Sequence, residues 1–219
     1  MKKINFLAVL FLMFGGSVLL SGCQKAYYGT MEALGHPKRE LLVKRVAGAR
    51  DSQAEAKEQF ESALEQFSSV LNFSGGELEE KYKQLNAEFE RSETKAKKVK
   101  KRIGDVENVA EALFDEWAAE LEEYSSDKLR RASERKLEQT RKRYTQLINA
   151  MHRAEEKTGP VLSAFRDQVL FLKHNLNARA IASLHDELAN VEAEIGSLIK
   201  EMEVSIAEAD KFISAMTAE

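Results

Sequence analysis

The chain has 219 residues, with 33 basic and 36 acidic side chains, a formal net charge of −3 and one cysteine, so it can hold no internal disulfide. A charged fraction of 32%, only 2 prolines and 11 glycines, and abundant Ala, Glu, Lys and Leu read as long helices or coiled coil. Such a chain makes a narrow apolar seam and not a thick core, which leaves little room for a buried catalytic cavity.

The first residues set an address. Lys2 and Lys3 precede an unbroken apolar run over residues 6–14, the layout of a secretory signal. As a membrane span, residues 4–20 would be at the lower limit of length, and Asn5, Gly15, Gly16 and Ser17 dilute them. The run closes on Leu20-Ser21-Gly22-Cys23, which resembles the lipobox of bacterial lipoproteins. That resemblance implies a diacylglycerol on the Cys23 sulfur, cleavage before Cys23 and acylation, with palmitate for instance, of the new amine. Two or more acyl chains make anchoring stable without a spanning helix. By resemblance to sorting in Gram-negative bacteria, Gln24 after Cys23 implies the periplasmic leaflet of the outer membrane. Cleavage would leave 31 basic against 36 acidic residues, a net charge of −5. The expected organisation is a signal peptide at 1–22, a lipidated tether at 23–37 and one all-helical coiled-coil domain at 38–219. Fully extended, residues 24–36 reach at most ~45 Å. Tyr27 and Tyr28 within them suit either the headgroup level or the flank of the first helix.

Pro37 fits the first turn of a helix, where a missing N–H costs nothing. From there Leu42, Val46, Ala49, Gln53, Ala56, Phe60, Ala63, Phe67 and Val70 alternate at spacings of four and three, a heptad seam with one polar member. Asn72-Phe73-Ser74-Gly75-Gly76 ends it. A second seam runs through Leu78, Tyr82, Leu85, Phe89, Ser92, Ala96, Val99, Ile103, Val106, Ala110, Leu113 and Trp117, predicting one helix over about 77–124. Gly104 sits off this seam and weakens the helix without breaking it. The phase then slips, and Ser125-Ser126-Asp127 supplies capping side chains for a turn or a kink. Leu129, Leu137, Tyr144, Leu147 and Met151 predict a third helix to Lys157, which Thr158-Gly159-Pro160 should end. A fourth segment over 160–217 resumes at Leu162, Phe165, Val169, Leu172 and Leu176, slips at Asn177 in the manner of a stutter, and continues from Ile181 to Met216.

Charge supports pairing of these helices as hairpins. Residues 105–123 hold eight acids and no base, and residues 128–143 hold eight bases and two acids. Folding at Ser125-Ser126 would lay one against the other. Residues 186–219, with nine acids and two bases, could cover the other side of the basic helix. The expected fold is all-α, an elongated antiparallel helical bundle or coiled coil.

One stretch is unlike the rest. Phe165-Arg166-Asp167-Gln168-Val169-Leu170-Phe171-Leu172-Lys173-His174-Asn175-Leu176-Asn177-Ala178-Arg179-Ala180 resembles an uncharacterised family of bacterial coiled-coil proteins, catalogued only as a domain of unknown function. The similarity extends through Tyr27-Tyr28-Gly29 and residues 38–46 and 63–76, but the family implies no activity, cofactor or catalytic residue. Val169 to Leu172 is apolar on all sides of a helix, more than a seam requires. One reading is a densely packed bundle end with Phe171 inside. The other is a docking patch made of Phe165, Arg166, Asp167, Phe171, Lys173, His174, Asn175, Asn177 and Arg179.

Nothing else forms a constellation with chemistry. His36, His152, His174 and His185 include no pair at the i, i+4 spacing of a helical metal site. Ser183, His185 and Asp186 point in different directions from one helix and cannot form a triad. The basic run Lys95, Lys97, Lys98, Lys100, Lys101 and Arg102 fits a solvated helix face, with anionic lipid or an acidic helix as alternative partners. No enzyme activity, metal, cofactor, nucleic acid or small-molecule substrate is expected. The expected partners are the membrane, through acylated Cys23, and an unidentified protein or a second copy. The function that follows is a lipid-anchored periplasmic scaffold or adaptor, with a membrane-remodelling protein of amphipathic helices as the alternative.

Overall fold

The computed structural model describes residues 37–72, 78–175 and 177–218, apart from the side chains of residues 178–180. The signal, Cys23, the tether, the Gly75-Gly76 turn and the side chain of Arg179 therefore lie outside the described residues. Four long helices make the fold: α1 (Lys38–Leu71), α2 (Leu78–Glu120), α3 (Asp127–His174) and α4 (Ala178–Thr217), with a single 3₁₀ turn, Leu121–Glu123, after α2. Each helix packs along the next, and α4 closes the circuit against α1, so the molecule is an up-and-down antiparallel four-helix bundle. Pairs across the α1–α2 seam run in opposite directions, Gln66 with Gln84 and Lys38 with Glu116. The same holds between α1 and α4, where Lys57 meets Glu203 and Arg50 meets Asp210.

The α1 seam is buried at every expected position, from Leu42 to Val70. The carbonyl of Pro37 accepts the Leu41 N–H at 3.1 Å and starts the helix. Its polar member, Gln53, accepts the Ser205 hydroxyl of α4 at 2.7 Å in the core, and its Nε2 has no hydrogen-bond partner among the described residues. A buried polar pair of this kind fixes the register of two helices at some cost in stability.

In α2 the seam is buried from Ser92 through Leu113, and Val109 and Phe114 widen the stripe. The widening follows from the fold, because α2 contacts α1 on one side and α3 on the other. Gly104 is half-buried in an unbroken helix, and a Cβ built there meets nothing within 4 Å. Gly104→Ala is therefore expected to raise unfolding stability by about 1 kcal/mol, read from the denaturation midpoint. A clear loss would mean that the helix is not continuous at this point.

Ser125-Ser126 forms a turn. The Ser126 hydroxyl accepts the Leu129 N–H at 3.5 Å and its carbonyl accepts the Arg130 N–H at 2.9 Å, which caps α3. The acidic end of α2 and the basic start of α3 lie side by side as expected. Trp117 Nε1 donates to the Ser133 hydroxyl at 2.8 Å, and Arg141 donates to the Phe114 carbonyl at 3.2 Å while standing 5.5 Å from the centre of its ring. On its other side α3 meets α4, with Arg153 to Glu201 at 3.3 Å.

Two boundaries differ from the sequence expectation. The break expected at Thr158-Gly159-Pro160 is absent, and α3 runs through Pro160 for 48 residues. Pro160 and Glu156, whose carbonyl the proline ring displaces from its helical partner, are both exposed, so water can satisfy that carbonyl. The core face meanwhile continues without interruption through Met151, Ala154, Thr158, Val161 and Phe165. Packing on that face outweighs the local breaker. The second difference is at Asn177, where the expected stutter is a turn between two helices. The Asn175 side chain donates to the Phe171 carbonyl at 2.9 Å and its N–H to the Leu172 carbonyl at 3.2 Å, ending α3. The Asn177 carbonyl accepts the Ile181 N–H at 3.4 Å and opens α4. The four segments are thus 38–71, 78–120, 127–174 and 178–217, in place of helices broken at 157–160.

Candidate functional site

The topology sorts the turns into two ends. Pro37, the Ser125-Ser126 turn and the end of α4 share one end of the bundle, and the Asn175–Asn177 turn shares the other with the α1–α2 connection. The 34 residues of α1 separate the two ends by about 50 Å. The unusual stretch therefore lies at the tip farthest from where residues 1–36 join the bundle.

The structure divides that stretch between core and surface. Val169 and Leu172 are buried, whereas Leu170 is 48% and Phe171 40% exposed. The expectation that Phe171 lies inside a packed bundle end is thus corrected. Residues 169–172 make a full turn of helix, and α3 at this point has neighbours on only part of its circumference. Phe165, counted with the patch, belongs instead to the core: its ring meets Phe67 at 6.3 Å and Phe89 at 6.0 Å, both edge-on. Arg166 stands 5.8 Å from the centre of the Phe89 ring and 3.8 Å from the Glu93 carboxylate of α2. Asn175 and Asn177 work as the caps of the turn.

A smaller surface set remains. Asp167 and Phe171 line an open groove between α3 and α4 together with Gln168, Ser183, Leu184 and Glu187. The groove continues through Ala164, Asn190 and Glu194. Lys173 and His174, both exposed, stand in the last turn of α3, where positive charge complements the helix dipole; neither lines the groove, and Lys173 shares the heptad position of Arg166, which faces α2. The α4 wall of the groove was not legible as part of a site, because only the pairing of α3 with α4 brings it to Asp167 and Phe171; exposed Leu170 lies outside the groove. The arrangement offers apolar side chains with an acidic rim of Asp167, Glu187 and Glu194, suited to a peptide or helix surface.

The other candidates resolve differently. His152 Nε2 lies 2.8 Å from Glu107 and its Nδ1 3.9 Å from Glu155, a polar link between α2 and α3. Among the described residues no group of His, Cys, Asp and Glu could hold a metal ion. Much of the basic run on α2 serves the fold. Lys95 and Lys98 each reach Glu55 of α1 at 2.8 Å, Lys100 reaches Glu155 of α3 at 3.3 Å, and Lys97 and Arg102 pair within α2. Hydrogen bonds from Lys95 and Lys98 hold the Glu55 carboxyl down at about 2. Among the described residues, no helix is long and apolar enough to cross a membrane.

Comparison with the curated proteins and with the solved structures gave no match. One family model does match, over residues 27–216, which takes in all four helices and both turns described above. The chain belongs to that family, described as protein of unknown function (DUF2959).

Proposed function

We propose that this protein is a lipid-anchored periplasmic scaffold or adaptor, without enzymatic activity, that presents a protein-docking tip at the end of the bundle far from its anchor. The observation that carries the reading is the exposure of Leu170 and Phe171 at the end of the bundle opposite to the entry of residues 1–36. The likeness of Leu20-Ser21-Gly22-Cys23 to a lipobox supports the anchor, and Gln24 after Cys23 supports the outer membrane. The alternative, helices that insert into and remodel lipid, needs free apolar faces, and in this bundle those faces are buried against one another.

Two experiments test the reading. Cys23→Ser is expected to leave an uncleaved precursor that takes up no labelled palmitate; normal processing and labelling would remove the anchor. For the tip, a photo-crosslinking residue at Asp167 is expected to capture a specific protein in cells. Leu170→Ser with Phe171→Ser should abolish that capture while thermal unfolding stays close to wild type. Capture that survives both serines would move the docking site elsewhere.

A further inference from the structure

At the opposite end of the bundle, the outer face of α3 carries a line of cations with no partner among the described residues. Lys128, Arg135 and Lys142 recur every seven residues on a helix that buries Leu137, Thr140 and Leu147, so they occupy the position facing away from the core, and all three are exposed. Arg131 is exposed beside them. Among the described residues none of the four makes an ion pair or hydrogen bond, unlike most of the basic run on α2. Like charges at i, i+3 and i, i+4, as in Lys128–Arg131 and Arg131–Arg135, destabilise an isolated helix. Glu134 and Glu138, three residues after Arg131 and Arg135, and Glu138 four before Lys142, offset part of that repulsion.

We propose that this face, over residues 128–142, docks on the anionic phospholipid headgroups of the membrane to which the chain is tethered, an inference that rests on the lipid anchor proposed above. Three observations select this occupant. The line is about 20 Å long and cationic, complementary to a phosphate surface. It begins at the end where residues 1–36 leave the bundle, since Lys38 is held 2.6 Å from Glu116 and Arg39 donates to the Met216 carbonyl at 2.8 Å. A tether over residues 24–36 reaches at most ~45 Å, which keeps the face at high effective concentration over the membrane. Finally, Leu129, 57% exposed, and Tyr124, 42% exposed, stand at the same end, and apolar and aromatic side chains of this kind are favoured at headgroup level.

The acids nearby limit the face without interrupting it. Glu134 and Glu138 occupy the heptad positions of Glu155 and His152, which meet α2, so they flank the line on that side. Glu122 and Glu123 belong to the 3₁₀ turn before the line begins. Farther along α3 the outermost positions are Asn149, Glu156 and Ser163, none of them cationic. The cationic part of the face therefore ends near Lys142, and the same heptad position next reaches exposed Leu170 at the far tip.

The test uses the full chain purified from membranes, carrying Ala132→Cys as a thiol reporter on the exposed outer face and reconstituted into vesicles. Labelling by an impermeant maleimide is followed peptide by peptide by mass spectrometry. With about 30 mol% phosphatidylglycerol in phosphatidylcholine, labelling at position 132 is expected to be roughly fivefold slower than in phosphatidylcholine alone. Salt at about 0.5 M should restore the rate, because it screens charges across more than a few ångströms. The slowing should vanish when Lys128, Arg131, Arg135 and Lys142 are all changed to Gln, and Ala207→Cys on the outer face of α4 should label equally on both vesicles. Equal rates at 132 on the two vesicles would overturn the proposal in favour of an acidic protein partner, and so would a slowing that survives the four glutamines. The anchor is read separately at Cys23, where an unmodified thiol would refute lipidation while the rates at 132 still decide the headgroup contact.

Discussion

Phe165→Ala is expected to cost roughly 3–5 kcal/mol of unfolding stability, whereas Phe171→Ala, six residues later in the same stretch, is expected to cost about 1 kcal/mol or less. Phe165 is 1% exposed and joins α3 to α1 and α2 through the rings of Phe67 and Phe89. Its truncation leaves a cavity that three helices must share, and the loss of two edge-on ring contacts adds to the lost burial. Phe171 keeps 40% of its surface in water, so less area is uncovered and the groove can relax around the change. Denaturant midpoints of the two variants separate core from surface within one helical segment. If the two losses proved equal, the division of residues 165–172 between core and groove would be wrong. If Phe171→Ala were the costlier, the tip would be packed in a way the bundle does not show.

Pro160→Ala is expected to have the largest stabilising effect, about 2 kcal/mol. A proline inside a helix is about 3 kcal/mol less favourable than alanine, and the greater freedom of the unfolded alanine chain takes back part of that gain. The site allows the change, because Pro160 is exposed and α3 is helical on both sides of it. Restoring the N–H at 160 returns a partner to the Glu156 carbonyl and removes the ring clash. A stability unchanged or lowered by Pro160→Ala would show that the helix ends near 158, as the local sequence alone suggests. The expected gain would mean that the natural proline locally weakens α3 between the cationic line and the docking tip, the two parts of this helix for which functions are proposed.

The heptad seams of α1 and α2 were legible because apolar residues repeat there with little interruption; burial follows them at every position of α1 and from Ser92 through Leu113 of α2, whereas Leu78, Tyr82, Phe89 and Trp117 toward the ends of α2 are partly buried. The seam of α3 was not legible across 151–165, because its core positions include Ala154 and Thr158, small or polar side chains that do not announce an apolar stripe. A breaker in full view, Gly159-Pro160, then outweighed a periodicity carried by residues of weak signal. The turn at 175–177 was missed for the converse reason. Its signal is the capping chemistry of Asn175 and Asn177, which in a coiled-coil background passes for a slip of phase.

The sequence by itself determined the helical class and the seams, since periodicity is a local property of the chain; it left Ser125-Ser126 between a turn and a kink, which the packing of α3 against α2 decided. Membership of the family rests on sequence as well, over residues 27–216. Only the tertiary structure decided which way each apolar side chain of residues 165–172 faces, that α3 passes through Pro160, and that Phe171 shares a groove with Ser183 and Glu187. The physical reason is that a helix with apolar residues all round, or with a proline on its outer side, has no preferred partner until neighbouring helices cover part of its circumference. Burial by those neighbours assigns the inside, and what they leave uncovered becomes the surface available for binding.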